Sequence, residues 1–382
     1  MIYLDNAAGS HPKPPQVLAG LQQACSLYGA NPGRGNYAMS RATSVMVGKA
    51  REKLAALFGV TQPQRLIFTA GATISLNMAV CGLLQPGDHL LISGMEHNAL
   101  WRPAAALAKQ GKITITVIKP DEAGYVTATD FSAAIRPETA LIACIQSSNV
   151  NGVVQPIAEI GQLAHKRGIP LLVDAAQSAG LLDIDVARDH ISLLAFAGHK
   201  YLYGLAGSGG LYVDPQVVLD SFVYGGTGNN SEQAEQPDFY PDHLEAGSLN
   251  VPGIAALDAA CDFIREIGIP ELYGHNRALT DMLLADVAEI KGITLQTPLS
   301  ATRPTLPVVS LTMADKTAGE VAEILDRDYG IAIRSGYHCA PLAHRCLGTM
   351  EEGSVRLSPG WFNSRQEMKK TAVALQNIAR GI

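Results

Sequence analysis

Two charged residues close apolar runs where charge is costly. Lys200 ends "ISLLAFAGHK", and Asp174, twenty-six positions earlier, ends the apolar part of "IPLLVDAA", with Gln177 just beyond. Lysine is rarely fully buried without a partner. In an open α/β sheet the strand ends border the ligand crevice, so both residues are expected to face one pocket. The pair reads in two ways. It is a buried ion pair that only ties the sheet together, or it is a lysine that carries pyridoxal phosphate as a Schiff base, with the aspartate pairing the pyridinium nitrogen so that the ring accepts electrons. These two residues alone leave both readings open.

A phosphate group needs backbone N–H donors or a helix N-terminus. "TAGATISLN" offers one, a strand, then Gly71, then Ala72 and Thr73 opening a helix. His97, in "MEHNAL", follows the strand-like "HLLISG" at another strand end. A histidine there is commonly structural. Beside Lys200 and Asp174 it is also placed to stack on a cofactor ring and exchange protons. "SGYHCAPLAHRC", Ser335 to Cys346, puts two histidines and two cysteines on a polar, turn-like stretch. Cys339 and Cys346 lack the CxxC spacing of zinc sites, and a disulfide between them is disfavoured in a reducing compartment. A cysteine on a polar loop is a candidate nucleophile; a structural thiol is the plain alternative. "GSGG" at Gly207–Gly210 lacks the G-x-G-x-x-G dinucleotide pattern.

The elements that must position these residues alternate between short apolar runs ("GDHLLISG", "ITITVI", "TALIACIQSS") and helix-period stretches such as "PIAEIGQLAHKRG". Near-continuous apolar strands between helices imply a mostly parallel sheet covered on both faces. "SVMVGKAREKLAALFGV" (Ser44–Val60) reads as an amphipathic helix with Ser44 as its cap. Beyond Pro252 the texture changes to two long helices, the strands "LPVVSLTM" and "IAIRSGYHC", and a closing helix. The expected organisation is a large domain over 15–250 and a smaller α+β domain over 251–382, joined by the N-terminal segment 1–14, with the boundary near Asn250–Gly253.

The chain has 382 residues, 47% hydrophobic and 17% charged, with net charge −6. That supports a sizeable core and argues against disorder. With no basic cluster, nothing suggests a nucleic-acid surface. No window approaches the apolar length of a membrane span, and "MIYLDNAAGSHPKPP" does not read as a signal peptide. Six cysteines, mostly single in apolar or helical contexts, fit reduced thiols in a cytoplasmic protein.

The ordered series "YLDNAA", "NPGRG", "FTAGAT", "EHN", "SNVNG", "DAAQSAG", "AGHK", "EAGSLN" and "RSGYHCA" resembles the class V aminotransferase family, and within it the cysteine desulfurases and selenocysteine lyases. The resemblance implies the type I pyridoxal-phosphate fold and a homodimer with active sites near the subunit interface. It implies that Lys200 carries the cofactor, Asp174 pairs the ring nitrogen, Gln177 bonds the phenolic oxygen and His97 stacks on the ring. Ala72 and Thr73 bind the phosphate with His199 beside it, and Ser248 reaches the phosphate of the neighbouring subunit. Asn149 approaches the cofactor oxygen and the substrate carboxylate, which Arg356 grips; Arg34 and Arg334 lie at the rim. Cys339 takes the sulfur of L-cysteine as a persulfide, releasing L-alanine, and an acceptor protein then receives it. No metal is implied.

Two departures qualify this. Ala197 stands where many relatives carry Ser or Thr, with Ser208 or Thr227 as substitutes for the missing phosphate contact. "HCAPL" is one residue shorter than the "HCAxPL" of many relatives, and Pro341 stiffens the loop. The alternatives are a selenocysteine lyase, another class V lyase or transaminase, and a non-enzymatic α/β protein that binds a phosphate ligand.

Overall fold

The computed structural model describes residues 1–299 and 303–382. Seven strands form the main sheet: β2 (Leu66–Thr69), β3 (His89–Ser93), β4 (Thr114–Ile118), β5 (Thr139–Ile145), β6 (Leu171–Asp174), β7 (Leu193–Ala197) and β8 (Gly209–Val213). Their spatial order is β2-β8-β7-β6-β5-β3-β4. All neighbours pair in parallel except β8, which runs antiparallel to both β2 and β7. The α/β class expected from the sequence is therefore present.

The strands read as unbroken apolar runs because the sheet is buried on both faces. With a side-chain period of two, successive residues enter opposite cores. Leu91, Leu171, Val173, Leu194 and Phe196 belong to the core that contains helices α1 (Pro15–Leu27), α2 (Ala38–Leu57), α6 (Ile157–Arg167) and α7 (Val251–Ile267). Leu90, Ile92, Leu172, Leu193 and Ala195 enter the core under α3 (Ala72–Leu83) and α4 (Asn98–Lys109). A short helix, α5 (Ala128–Ala134), begins with a capping box at Thr127 and Asp130.

A second sheet holds β9 (Ile293–Leu295), β10 (Val309–Met313), β12 (Arg334–Gly336) and β13 (Ser354–Leu357), antiparallel in the order β12-β13-β10-β9. Its core is shared with α8 (Ile269–Ala288), α9 (Ala318–Tyr329) and α11 (Arg365–Arg380). The N-terminal strand β1 (Ile2–Tyr3) pairs in parallel with β11 (Ile331–Ala332), so the first residues lie with the end of the chain. A short helix, α10 (Pro341–Cys346), follows the polar stretch after β12.

One local expectation is corrected. Helix α2 starts at Ala38, and Ser44 lies inside it with Oγ donating to the Ser40 carbonyl (2.9 Å). The polar "AMSRAT" turn is helical because Ser40, Thr43 and Met46 face inward. Of the cysteines, Cys144 and Cys261 are buried, whereas Cys25 and Cys339 are exposed.

One buried ion pair ties α2 to the sheet edge. The Arg51 guanidinium meets the Glu245 carboxylate in a fork (2.7 and 2.9 Å), lies over the Phe68 ring, and donates to the Leu66 carbonyl. Glu245 also accepts from the Phe68 N–H (2.6 Å). Removing one partner of such a pair strands the other charge without solvent. Glu245→Gln should therefore lower unfolding stability by about 3–5 kcal/mol in a denaturant titration. Arg327→Ala, which deletes solvent-exposed pairs on α9, should leave the midpoint unchanged. Equal effects from the two variants would contradict this account of the pair.

Candidate active site

A cavity of about 260 Å³ opens where the carboxyl ends of β2, β5, β6 and β7 meet the second sheet. A larger one, about 510 Å³, lies between α2 and α7, lined by Leu57, Cys261 and Ile264 under a rim of Lys49, Lys53 and Asp262. It contains none of the residues singled out from the sequence. The chemistry converges on the smaller cavity.

Lys200 and Asp174 both line it. They extend from neighbouring strands, β7 and β6. The turn after β7 is closed by Gly198 N–H to the Ser208 carbonyl and Gly204 N–H to the Gly198 carbonyl, both 2.8 Å. A Cβ at 198 would collide with Ser208 Oγ, so the close approach requires glycine. Lys13 Nζ donates to the His199 carbonyl (3.0 Å) and to Ser10 Oγ (2.9 Å), bracing the same turn. Burial lowers the Lys200 ammonium to about 8, with Arg356 and Arg334 acting in the same direction and Asp174 opposing them. Burial raises the Asp174 carboxyl, opposed by the Ala176 N–H (2.9 Å) and by Lys200.

His97 caps α4. Its Nδ1 accepts from the Ala99 N–H (3.0 Å), which puts the ring proton on Nε2. Burial first, then the positive charges of Lys200, Arg334 and Arg356, lower its value to about 3. His97 is thus a neutral ring at the cavity wall. His199 lines the wall too and is lowered to about 4, mainly by burial.

The second sheet supplies two guanidinium groups from directly paired positions, Arg334 on β12 and Arg356 on β13. Arg356 is 1% exposed. Its Nη2 donates to Asp5 Oδ1 (2.7 Å) and its Nη1 to the Asn149 carbonyl (3.0 Å). Its Nε has no partner among the described residues. Asn149 spends its Nδ2 on the His338 carbonyl (2.7 Å), leaving Oδ1 buried and unpartnered among the described residues.

Cys339 lines the cavity and is exposed. Its Sγ lies 3.8 Å from Arg334 Nη2. His338 and Cys339 both adopt left-handed backbone, with φ of 49° and 58°. The Tyr337 carbonyl accepts from the Ala340 N–H (2.8 Å), closing a turn of the I′ pattern around them. Such a turn favours Asn-Gly, and each non-glycine residue in it costs roughly 1–2 kcal/mol. The His338 ring turns away from the thiol, buried against Ser354 Oγ (Nε2, 3.1 Å). Burial lowers it to about 2, so it is no base for Cys339 at neutral pH. Cys346 faces the Gly94 carbonyl (3.7 Å) at the far end of α10. Among the described residues, no three His, Cys, Asp or Glu side chains form a metal-ligating group.

Ala72, Thr73 and Gln177 also reach the cavity; Ser248 and Arg34 do not. Ser248 Oγ accepts from Asn31 Nδ2 (3.1 Å) in an adjoining cavity. Arg34 donates to the Gly226 and Gly247 carbonyls (2.6 and 3.1 Å). Neither Ser208 nor Thr227 lines the cavity beside Ala197. Ser208 Oγ donates to the Leu205 carbonyl (2.6 Å), and half-buried Thr227 lines a neighbouring cavity with Arg34. Asp5, Glu96 and Asn98 were missed from the sequence. Glu96 sits beside His97, wholly buried, its Oε1 accepting from Ser93 Oγ (2.5 Å) and the Ile145 N–H (2.8 Å), and burial raises it to about 8. A glutamate adjoining a strand-end histidine was its only local signal.

These residues fit pyridoxal phosphate. The first N–H groups of α3, at Ala72 and Thr73, have no intrahelical acceptor and follow Gly71, whose φ is 132°. Asp174 keeps Oδ2 for a protonated ring nitrogen, and the orphaned Gln177 Oε1 and Asn149 Oδ1 require a polar partner at the cavity.

A family model described as aminotransferase class-V matches residues 2–370. A probable cysteine desulfurase of Methanothermobacter thermautotrophicus is 33% identical, over 99% of this chain and 94% of its own. The apo structure of a cysteine desulfurase from Thermococcus onnurineus NA1 superimposes with a TM-score of 0.92 at 28% identity, covering 100% of this chain and 95% of that one. The Escherichia coli cysteine desulfurase CsdA, in an S-sulfonic acid form, gives 0.87 at 27% identity, with coverage of 100% and 95%. The match runs through every strand of the main sheet and through both faces of the cavity, and the chain belongs to the class-V aminotransferase family.

Proposed function

We propose that this protein is a pyridoxal-phosphate-dependent cysteine desulfurase that releases L-alanine from L-cysteine and retains the sulfur on Cys339. The observation that carries the reading is one cavity holding Lys200 opposite Asp174 and Cys339 beside Arg334. The relatives named as cysteine desulfurases across almost the whole chain support it.

When bound, the cofactor supplies an electron sink for the substrate Cα. Ala72 and Thr73 would hold its phosphate, Asp174 its ring nitrogen, His97 one ring face, and Gln177 with Asn149 its oxygen edge. Lys200 Nζ would be the covalent attachment point and, once displaced by substrate, the group that takes the Cα proton. An ammonium lowered to about 8 loses its proton more readily than an exposed lysine. Arg356 and Arg334 would receive the substrate carboxylate. Asn149 points an acceptor inward while its amide holds His338, so a carboxylate contact there requires the amide to leave that carbonyl. The Cys339 thiolate would attack the substrate sulfur. The new S–S bond forms as the Cβ–S bond breaks, and its electron pair stays on Cβ, which gains a proton to become the alanine methyl group. The family likeness also supports L-selenocysteine as a competing substrate and a protein that receives the persulfide.

The same reading includes a homodimer in a reducing, cytoplasmic setting. Ser248 and Arg34 lie off the cavity, on a side where Tyr37, Val223 and Tyr224 expose apolar surface. A partner covering that side would bring the partner's copy of this segment to the phosphate. Sedimentation should give twice the monomer mass; a monomer carrying full activity would contradict this.

Capture of pyridoxal phosphate by the cofactor-free protein requires the neutral amine of Lys200. Its folded value is lowered below that of free lysine, so the neutral form gains population from about pH 8 upward. The capture rate, followed by absorbance, should rise with a midpoint near 8, and Asp174→Asn should move that midpoint lower by removing the opposing carboxylate. A midpoint near that of a free lysine would contradict the burial argument.

Wild-type protein should release alanine and sulfide in equal amounts from L-cysteine under reducing conditions. Cys339→Ala should lose at least about a hundredfold in rate, as expected when a covalent nucleophile is removed. If Cys339→Ala stays active on L-cysteine, the thiol is not the acceptor. If it loses only that reaction and still cleaves L-selenocysteine, the thiol is needed for sulfur alone.

A further inference from the structure

The turn that carries Cys339 is tied to both sheets. From the main-sheet side, the Asn149 amide donates to the His338 carbonyl and the first N–H of α4, at Asn98, donates to the Cys339 carbonyl, both 2.7 Å. From the other side the His338 ring sits on Ser354 Oγ (3.1 Å), the Tyr337 hydroxyl donates to the Met350 carbonyl (2.9 Å), and Arg334 Nη2 lies 3.8 Å from Cys339 Sγ. Ser310 Oγ donates to that same oxygen (2.9 Å), fixing the Ser354 hydroxyl on the side facing the ring. Ser310 and Ser354 belong to β10 and β13 and are fully buried. His344, on α10, packs against the ring with centroids 5.6 Å apart and is itself held by Thr349 Oγ1 (2.7 Å).

Adjacent side chains diverge in this turn. His338 is 3% exposed while Cys339 opens to the cavity. Two successive left-handed residues without glycine relax to ordinary backbone unless the surroundings fix them. The two carbonyl bonds hold the turn at the main sheet. The buried ring is the tie from the second sheet made by a left-handed residue of the turn itself.

We propose that His338 is a positioning residue for the Cys339 thiol: its ring, seated on Ser354, fixes the left-handed turn that sends Cys339 into the cavity beside Arg334. The inference rests on the reading of Cys339 as sulfur acceptor and deepens it. His338 takes no part in proton transfer. Its contribution is geometric, and misplacement of a reacting atom by about 1 Å costs on the order of a hundredfold in rate.

Four substitutions in the cofactor-loaded enzyme separate this from simpler roles. His338→Phe keeps the bulk and loses the bond to Ser354. His338→Asn tolerates left-handed backbone but is too short to reach Ser354. His338→Gln keeps a polar group at that reach. Ser354→Ala cuts the same tie without touching the turn, and serves if a substitution at 338 prevents folding. His338→Phe, His338→Asn and Ser354→Ala should lower kcat for alanine release by about tenfold or more, with KM for L-cysteine unchanged within about twofold, and His338→Gln should recover most of the rate. Hydrogen exchange in the cofactor-free proteins should quicken at the amides of Ala340 and Asn98 and stay slow along β13.

His338→Asn at wild-type rate would overturn the proposal, since backbone tolerance would then suffice. Unchanged exchange at Ala340 in His338→Phe would overturn it as well. So would loosening of β13 together with the turn, which marks the ring as core packing. If wild-type protein releases no alanine from L-cysteine, the functional reading falls, while the exchange comparison still decides whether the ring fixes the turn.

Discussion

Everything at the cavity depends on burying Lys200 opposite Asp174 at the ends of two adjacent parallel strands. A lone ammonium or carboxylate at that depth would be expelled or neutralised. The lowered lysine and the raised aspartic acid record that cost, and each opposes the other's shift. Bringing the two ends together requires β6 and β7 to lie side by side in parallel, which needs a long crossover, here the irregular segment 175–192, and apolar cover on both faces. The two cores flanking the sheet supply that cover. The glycine turn after β7 and the Lys13 brace then set the lysine against its partner.

The second sheet contributes what the first cannot. Its paired arginines, Arg334 and Arg356, raise the positive charge facing the cavity, lower Lys200 further and keep His97 neutral. Arg356 can be buried so completely because Asp5, carried in by the pairing of β1 with β11, neutralises it from behind. Cys339 is placed at the seam between the sheets by a turn bonded to both. The seam thus holds two arginines, a buried lysine and an exposed thiol within one cavity of about 260 Å³.

Much of this was legible in the sequence wherever one residue type broke a local pattern. A lysine and an aspartate ending apolar runs marked the strand ends, a glycine before Ala72 marked the turn into α3, and a cysteine on a polar stretch marked the thiol loop. What escaped were pairings across distance. Asp5 meets Arg356 from 351 positions away, with no periodicity to announce it. Ser208 looked free to replace a hydroxyl at Ala197, but its direction is set by the Leu205 carbonyl of its own turn. Ser44 looked like a cap because it precedes an apolar stripe, yet the stripe's inward face begins with Ser40 and Thr43, whose hydroxyls satisfy that face by donating to the Asn31 and Met39 carbonyls. Polar residues that finish their hydrogen bonds locally are silent in a hydrophobic pattern.

The most direct measurement is the mass of the peptide Ser335–Arg345 after one turnover of L-cysteine without reductant. Trypsin cuts after Arg334 and Arg345, which separates Cys339 from Cys346. One added sulfur on this peptide, matched by one alanine released per site, is the result the account predicts. Alanine released with the peptide unmodified, or with the added sulfur on the peptide that contains Cys346, would contradict it.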